Sequence, residues 1–129
     1  RHSRNPIPGL FAAGVSVGTA LLTTAESGAC DAHRYYAEFG TACDTVLTRI
    51  YNGRLSRVLR NALVEALEDW EPMTAGYPAQ KALMGPLDRR AAEVGRTDLV
   101  MLPLGQSAGR SAYRRTADCV HALFPRSAD

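Results

Sequence analysis

The sequence predicts an α/β chain that is mostly helical. Three observations carry that reading: one long apolar stripe at helical spacing, two short apolar or β-branched runs, and Pro/Gly punctuation that cuts the remainder into helix-length pieces. The stripe is the clearest. Leu55, Val58, Leu59, Ala62, Leu63, Ala66, Leu67 and Trp70 recur at three- and four-residue steps, while Arg57, Arg60, Glu68 and Asp69 fall largely off that face. This spacing predicts an amphipathic helix over 55–70, stopped by Pro72, with its stripe in the core.

The other elements follow in order. Residues 1–9 read as an irregular N-terminal segment with two prolines and a glycine, and 10–129 as one domain. Val15 and Val17 alternate with Ser16, which suits a short buried strand that ends at Gly18-Thr19. A helix is predicted from about Cys30 to Phe39, closed by Gly40 in the left-handed conformation that glycine adopts without strain. Asp44–Tyr51 is rich in β-branched residues and predicts a second strand, ending at the turn dipeptide Asn52-Gly53. Met73–Tyr77 reads as a loop. A helix then starts near Pro78, breaks at Gly85-Pro86 and resumes over Leu87–Val94 before Gly95. Leu99–Gly109 reads as a loop. A last helix over Ser111–Leu123 is predicted to bury Tyr113, Ala117, Val120 and Phe124. Two strands alone do not hold a sheet in water, so either the helices carry the fold or the chain is part of something larger.

Composition narrows the function. The net charge is +2, and its basic residues, nearly all Arg, alternate with carboxylates, so a nucleic-acid partner is not indicated. No segment nears the ~18 apolar residues of a membrane span, and the basic opening lacks the apolar run of a secretory signal. Cys30, Cys43 and Cys119 are odd in number and widely spaced, which suggests reduced thiols and a cytoplasmic protein. His2, His33 and His121 do not cluster, so no metal site is expected, and no serine or cysteine sits in a nucleophile motif. The chain is too short for a complete (β/α)₈ barrel, which takes roughly 250 residues.

Two short stretches have binding chemistry. Gly18-Thr19 ends an apolar run, where backbone N–H groups, a close-approach glycine and a hydroxyl suit a phosphate; the same pair also ends ordinary strands. Gly105–Gly109 (GQSAG) offers small residues and one amide, suited to a ligand or to a tight turn. Tyr77, Gln80 and Lys81 straddle a helix start, where such residues face a pocket or simply cap and solvate.

Taken in order, VGTALLTTAESGA, DTVLTRIYNGRLSRVLRN, YPAQKAL and LPLGQSAG resemble the C-terminal part of nitronate monooxygenases, once called 2-nitropropane dioxygenases, which are FMN-dependent enzymes on a TIM barrel. The resemblance runs from about Gly14 to Phe124. It implies the C-terminal part of an FMN-binding TIM barrel: the last strand (Val15–Thr19), a helical insertion over the barrel mouth, and a terminal helix. Ser16, Val17, Gly18 and Thr19 would then meet the cofactor, the latter two at its phosphate, with Gln106 a second contact. Tyr77 and Gln80 would border the pocket for a small alkyl nitronate oxidised with O₂. The sequence also departs from the family. Ser16 stands where the family has Gln, the preceding Gly-Gly strand has no counterpart in RHSRNPIPG, and neither His33 nor His121 matches the catalytic His. The expectation is therefore a C-terminal portion with no catalytic residue of its own, FMN-dependent in intact relatives and inactive alone. Two alternatives remain: a helical module that self-associates through surfaces a barrel would cover, and a piece of a flavin-dependent enoyl reductase, whose Gly-Thr strand is similar.

Overall fold

The computed structural model describes residues 16–110 and 113–123. Along them run α1 (Thr19–Leu22), α2 (Asp31–Phe39), β1 (Thr45–Thr48), β2 (Ser56–Leu59), α3 (Ala62–Leu67), α4 (Ala79–Glu93) and α5 (Thr116–Leu123). Single 3₁₀ segments lie at Ala42–Asp44, Glu68–Met73 and Thr97–Leu99.

The centre is an antiparallel hairpin in which Thr45 faces Leu59 and Thr48 faces Ser56. The other edge of β2 is also paired: Leu59 N–H donates to Leu102 C=O at 2.9 Å and Leu104 N–H to Arg57 C=O at 3.2 Å. These bonds flank the pairing of Val58 with Pro103. Successive side chains of a strand point to opposite faces, and here both faces are covered, so Val58 and Leu59 are both buried. Each feeds a separate core. Leu59 packs with Ala37 of α2 and with Leu102, Leu104 and Ala108. Val58 packs with Ile50, Tyr51 and the α3 residues Leu63 and Val64.

The hairpin turn is fixed by Gly53, at φ +80°, where a Cβ would lie 2.5 Å from Ala75 O and 2.6 Å from Tyr77 N. Neither the left-handed backbone nor that approach admits a side chain.

Several expectations change. The stripe over 55–70 is not one helix. Its first part is β2, its middle α3, and its end the 3₁₀ segment in which Trp70 is exposed. A strand buried on both faces puts apolar residues side by side, and Val58-Leu59 followed by Leu63 mimics helical spacing. Asn61 marks the boundary: its extended backbone starts α3, and its Oδ1 accepts from Val64 N–H at 3.2 Å. The expected strand over Asp44–Tyr51 is shortened to Thr45–Thr48. Helix α4 does not break at Gly85-Pro86 but runs through Pro86 to Glu93. Gly85 has no side chain to clash with the proline ring, and Ala82, whose carbonyl loses its partner, is exposed to water.

Gly40 is extended, with φ −71°, not left-handed. Its small size serves packing instead: a Cβ on Gly40 would lie 2.4 Å from Tyr36 O, and one on Gly109, at φ +75°, would fall 2.4 Å from Gly40 O. The last helix begins at Thr116 and buries Cys119, while Ala117 and Val120 are exposed and Tyr113 is half-buried. Val15, Phe124 and the expected helix start at Ser111 lie outside the described residues. Ser16–Gly18 forms no strand: the chain passes directly into the four-residue helix α1, with Gly18 as its N-cap.

Candidate functional site

Two loops far apart in sequence meet at one hydrogen bond, in which Gly105 N–H donates to Thr19 Oγ1 at 2.8 Å. Around it opens a hollow of about 370 Å³, lined by Ser16–Ala20, Gly105, Ser107, Tyr113, Cys119 and Leu123. Its polar lining consists of hydroxyls and backbone, with no carboxylate and no basic side chain among those residues. The hydroxyl of Thr19 accepts from Gly105, so its own hydrogen is left to donate. Nothing lies within 4 Å of where a Cβ on Gly18 would be, so the backbone there is open to a ligand.

The residues after α1 hold this wall in place. Thr23 Oγ1 shares its hydrogen between the carbonyls of Tyr113 and Ala20, both at 3.1 Å. Thr24 Oγ1 donates to Leu21 C=O at 2.9 Å and accepts from Thr116 Oγ1 at 3.2 Å. Glu26 accepts from Thr116 N–H at 3.1 Å, and backbone N–H bonds, its own foremost, hold its carboxyl below the ordinary value. Arg34 of α2 collects three carbonyls from the same stretch: Thr24 at 2.6 Å, Ala29 at 3.0 Å, and Ser27. The neighbouring His33 touches the other loop, its Nε2 lying 2.6 Å from Pro103 C=O. A carbonyl only accepts, so Nε2 carries the hydrogen of that bond.

The other residues singled out in the sequence do not converge on this hollow. Gln106 sits between Gly105 and Ser107 but is exposed in a separate depression beside Glu38, Thr41 and Arg110. Tyr77 lies across the molecule, its ring stacked under the Arg54 guanidinium at 3.8 Å, in a hollow of about 470 Å³ with Lys81, Asp88 and Arg89. Tyr51 also faces that hollow. Burial pushes its hydroxyl up to about 12, against the lowering effect of its bond to Asn61, so it stays protonated and donates to Asn61 Oδ1 at 2.9 Å. Gln80 is buried, and both ends of its amide are engaged: Nε2 donates to Ile50 C=O at 2.6 Å and Oε1 accepts from Ala75 N–H at 3.1 Å.

Comparison with known proteins gives the family of the chain. The family model for nitronate monooxygenase matches residues 9–123. The chain belongs to the nitronate monooxygenase family. A protein of Staphylococcus aureus (strain Newman) described as "Probable nitronate monooxygenase" is 34% identical over 98 residues, which is 76% of this chain and 28% of that protein. A relative with the same description from Staphylococcus haemolyticus (strain JCSC1435) shows the same identity and coverage. Among solved structures, a nitroalkane oxidase from Streptomyces ansochromogenes superposes with a TM-score of 0.71 at 32% identity, covering 83% of this chain and 30% of that one. The chain thus spans little more than a quarter of the length of these curated relatives. It is a helix-rich α/β part of an oxidoreductase family.

Among the described residues, no helix is long and apolar enough to cross a membrane, and no three His, Cys, Asp or Glu are grouped to hold a metal ion. The sequence reading singled out Gly18-Thr19 and the Gly105 loop but not the residues that join them. Thr23, Thr24, His33 and Arg34 act on partners 3 to 92 positions away, mostly on backbone carbonyls, and no local pattern marks such bonds.

Proposed function

We propose that this chain supplies the phosphate-facing wall of the FMN site in a nitronate-oxidising barrel enzyme. The observation that carries the reading is the Thr19–Gly105 bond, which ties together two segments that the family resemblance assigns to the cofactor around one hydroxyl-lined hollow. The donor set fits a phosphate: Ser16, Thr19 and Ser107 offer hydroxyls, and no lining carboxylate repels a dianion. The chemistry the flavin supplies when bound is electron transfer from an alkyl nitronate to O₂. This chain's residues bind and orient. Thr19 and Ser107 donate to phosphate oxygens, the open backbone at Gly18 permits their approach, and Val17 offers an apolar neighbour. Ser16, at the position where the family resemblance implies Gln, is a shorter donor lining the same hollow.

Gln106 stands as a second cofactor contact on the outer side of its loop. Tyr77 borders the substrate pocket, with Arg54 and Lys81 beside it, and Gln80 acts indirectly by fixing the turn that bears Tyr77. No catalytic base is assigned to these residues: His33 is engaged by Pro103, and His121 is exposed on α5. A barrel of this kind closes with eight strands, and the described residues pair two, so turnover requires the remainder of such a barrel.

The test is equilibrium binding of FMN and riboflavin to the full chain, read by flavin fluorescence, for the wild type and Thr19→Val. FMN should bind more tightly than riboflavin, and Thr19→Val should erase about tenfold of that preference, about 1.4 kcal/mol. Equal binding of the two flavins would sink the phosphate assignment. Nitronate oxidation by the chain alone would sink the claim that it is only a wall.

A further inference from the structure

We infer that His33 is a positioning residue for the Gly105 loop, capping the outer edge of the 102–104 segment, which pairs with no further strand among the described residues. The argument begins with proline. In the pairing of Val58 with Pro103, the hydrogen bonds belong to the flanking residues, Leu59 to Leu102 and Leu104 to Arg57. That is the pattern in which the central pair turns its own N and C=O away from each other. Pro103 therefore presents its nitrogen, which has no hydrogen, and its carbonyl to the side opposite β2. A proline is tolerated there because no ladder bond is asked of it. Its carbonyl would otherwise be an open edge acceptor. His33, reaching from α2, closes it at 2.6 Å.

The consequence reaches the site two residues later. Pro103 is followed by Leu104, bonded back to β2, and then by Gly105, whose N–H meets Thr19 Oγ1. The segment is pinned on its β2 edge by Leu104 and on its outer edge by His33, so the direction in which Gly105 leaves it is set from both sides. The same helix braces the opposing wall, since Arg34 gathers the carbonyls that follow α1, and Ala37 C=O accepts from Gly109 N–H at 3.0 Å. Helix α2 thus fixes both loops of the hollow without entering it.

This role rests on the reading of the hollow as a phosphate site, but its test has one arm that does not. Amide hydrogen exchange in the full chain reads Gly105 directly. His33→Ala should speed exchange at Gly105 by about tenfold, with Leu59 unchanged because its bond lies on the other edge. His33→Gln, whose amide nitrogen falls near the place of Nε2, should restore protection, and His33→Asn, one methylene shorter, should not. Should His33→Ala fail to fold, the Gln–Asn pair decides alone. Unaltered Gly105 exchange in a folded His33→Ala or His33→Asn chain would overturn the inference. The second arm is flavin binding: His33→Asn should lower the FMN preference several-fold while leaving riboflavin binding unchanged. A parallel loss of both flavins would mean a merely structural role and would also overturn it. If the wild type shows no FMN preference, the phosphate reading fails, and Gly105 exchange still decides whether His33 positions the loop.

Discussion

The two sides of β2 are held together by different means. On the side of Val58, residues 45–101 form a unit whose core joins near neighbours in sequence: the hairpin, α3 and α4 around Ile50, Val58 and Val64. On the side of Leu59, the wall of the hollow is assembled from 16–40 and 102–123. Its defining bonds span long stretches of chain: 70 positions from His33 to Pro103, 86 from Thr19 to Gly105, and 92 from Thr24 to Thr116. The Val58 side is closed mainly by contacts near in sequence, the Leu59 side by an apolar core tied with long-range bonds.

The strongest way to break the contrast is to substitute one glycine on each side. Gly53→Ala puts a Cβ on left-handed backbone and into the 75–77 segment. Strain and overlap together should cost about 3 kcal/mol. Gly18→Ala meets nothing within 4 Å and sits at φ −110°, so its stability should stay within about 0.5 kcal/mol of wild type. Urea unfolding of both variants checks the pair. Equal costs would erase the distinction.

How much of this was legible in the sequence follows the same division. α2 and the two ends of α4 were legible because their Gly/Pro boundaries are local, and the 52–53 turn because Asn-Gly demands its own backbone; the passage of α4 through Gly85-Pro86 was not. The stretch 55–61 was misread because burial of its second face, that of Leu59, is decided by Ala37, Leu102 and Leu104, more than twenty positions away, and nothing nearby announces it. The site was legible as segments: Gly18-Thr19 and the Gly105 loop were both named, and they do share one hollow. Their closure was not. Gln106 belongs to the same loop and lies on its outer side, in a separate depression. Gln80 looked like a pocket residue because a polar side chain at a helix start is ambiguous until its partners are seen. Here they are two backbone groups.

A smaller effect sharpens the side of Val58. Asn61 is buried and serves three groups: Val64 N–H at 3.2 Å, Tyr51 hydroxyl at 2.9 Å and Val100 C=O at 2.9 Å. Asn61→Ala removes the helix cap, worth ~1 kcal/mol, and leaves the buried tyrosine hydroxyl with only the longer 3.3 Å bond to Val100 C=O. The expected loss is about 2 kcal/mol. Asn61→Asp keeps the cap acceptor but cannot donate to Val100, so it should fall between wild type and Ala. Thermal unfolding of the three chains orders them, and an Asp variant as stable as wild type would show that the Val100 bond contributes nothing.

The smallest expected effect tests the side of Leu59 through pH. Glu26 joins α5 to the loop after α1 through Thr116, and its carboxyl is held below its ordinary value of 4.5 chiefly by backbone N–H bonds, with Thr116 Oγ1 and Arg115 assisting. A carboxyl depressed in the folded state stabilises that state once it is ionised in the unfolded chain as well. Its contribution is full above 4.5 and is lost as pH falls through the lower folded value. Asp44, held down by Thr41 N–H and then by its hydroxyl, follows the same rule at the entrance to β1. Glu26→Gln should therefore unfold slightly below wild type at about pH 7, and the gap should narrow toward about pH 3. Because the carboxylate is open to solvent, the shift in midpoint should be small, and exchange of the Thr116 amide should report it more clearly than global unfolding. A Glu26→Gln chain whose Thr116 amide stays as protected as wild type at neutral pH would show that the charge of Glu26 contributes nothing to holding α5.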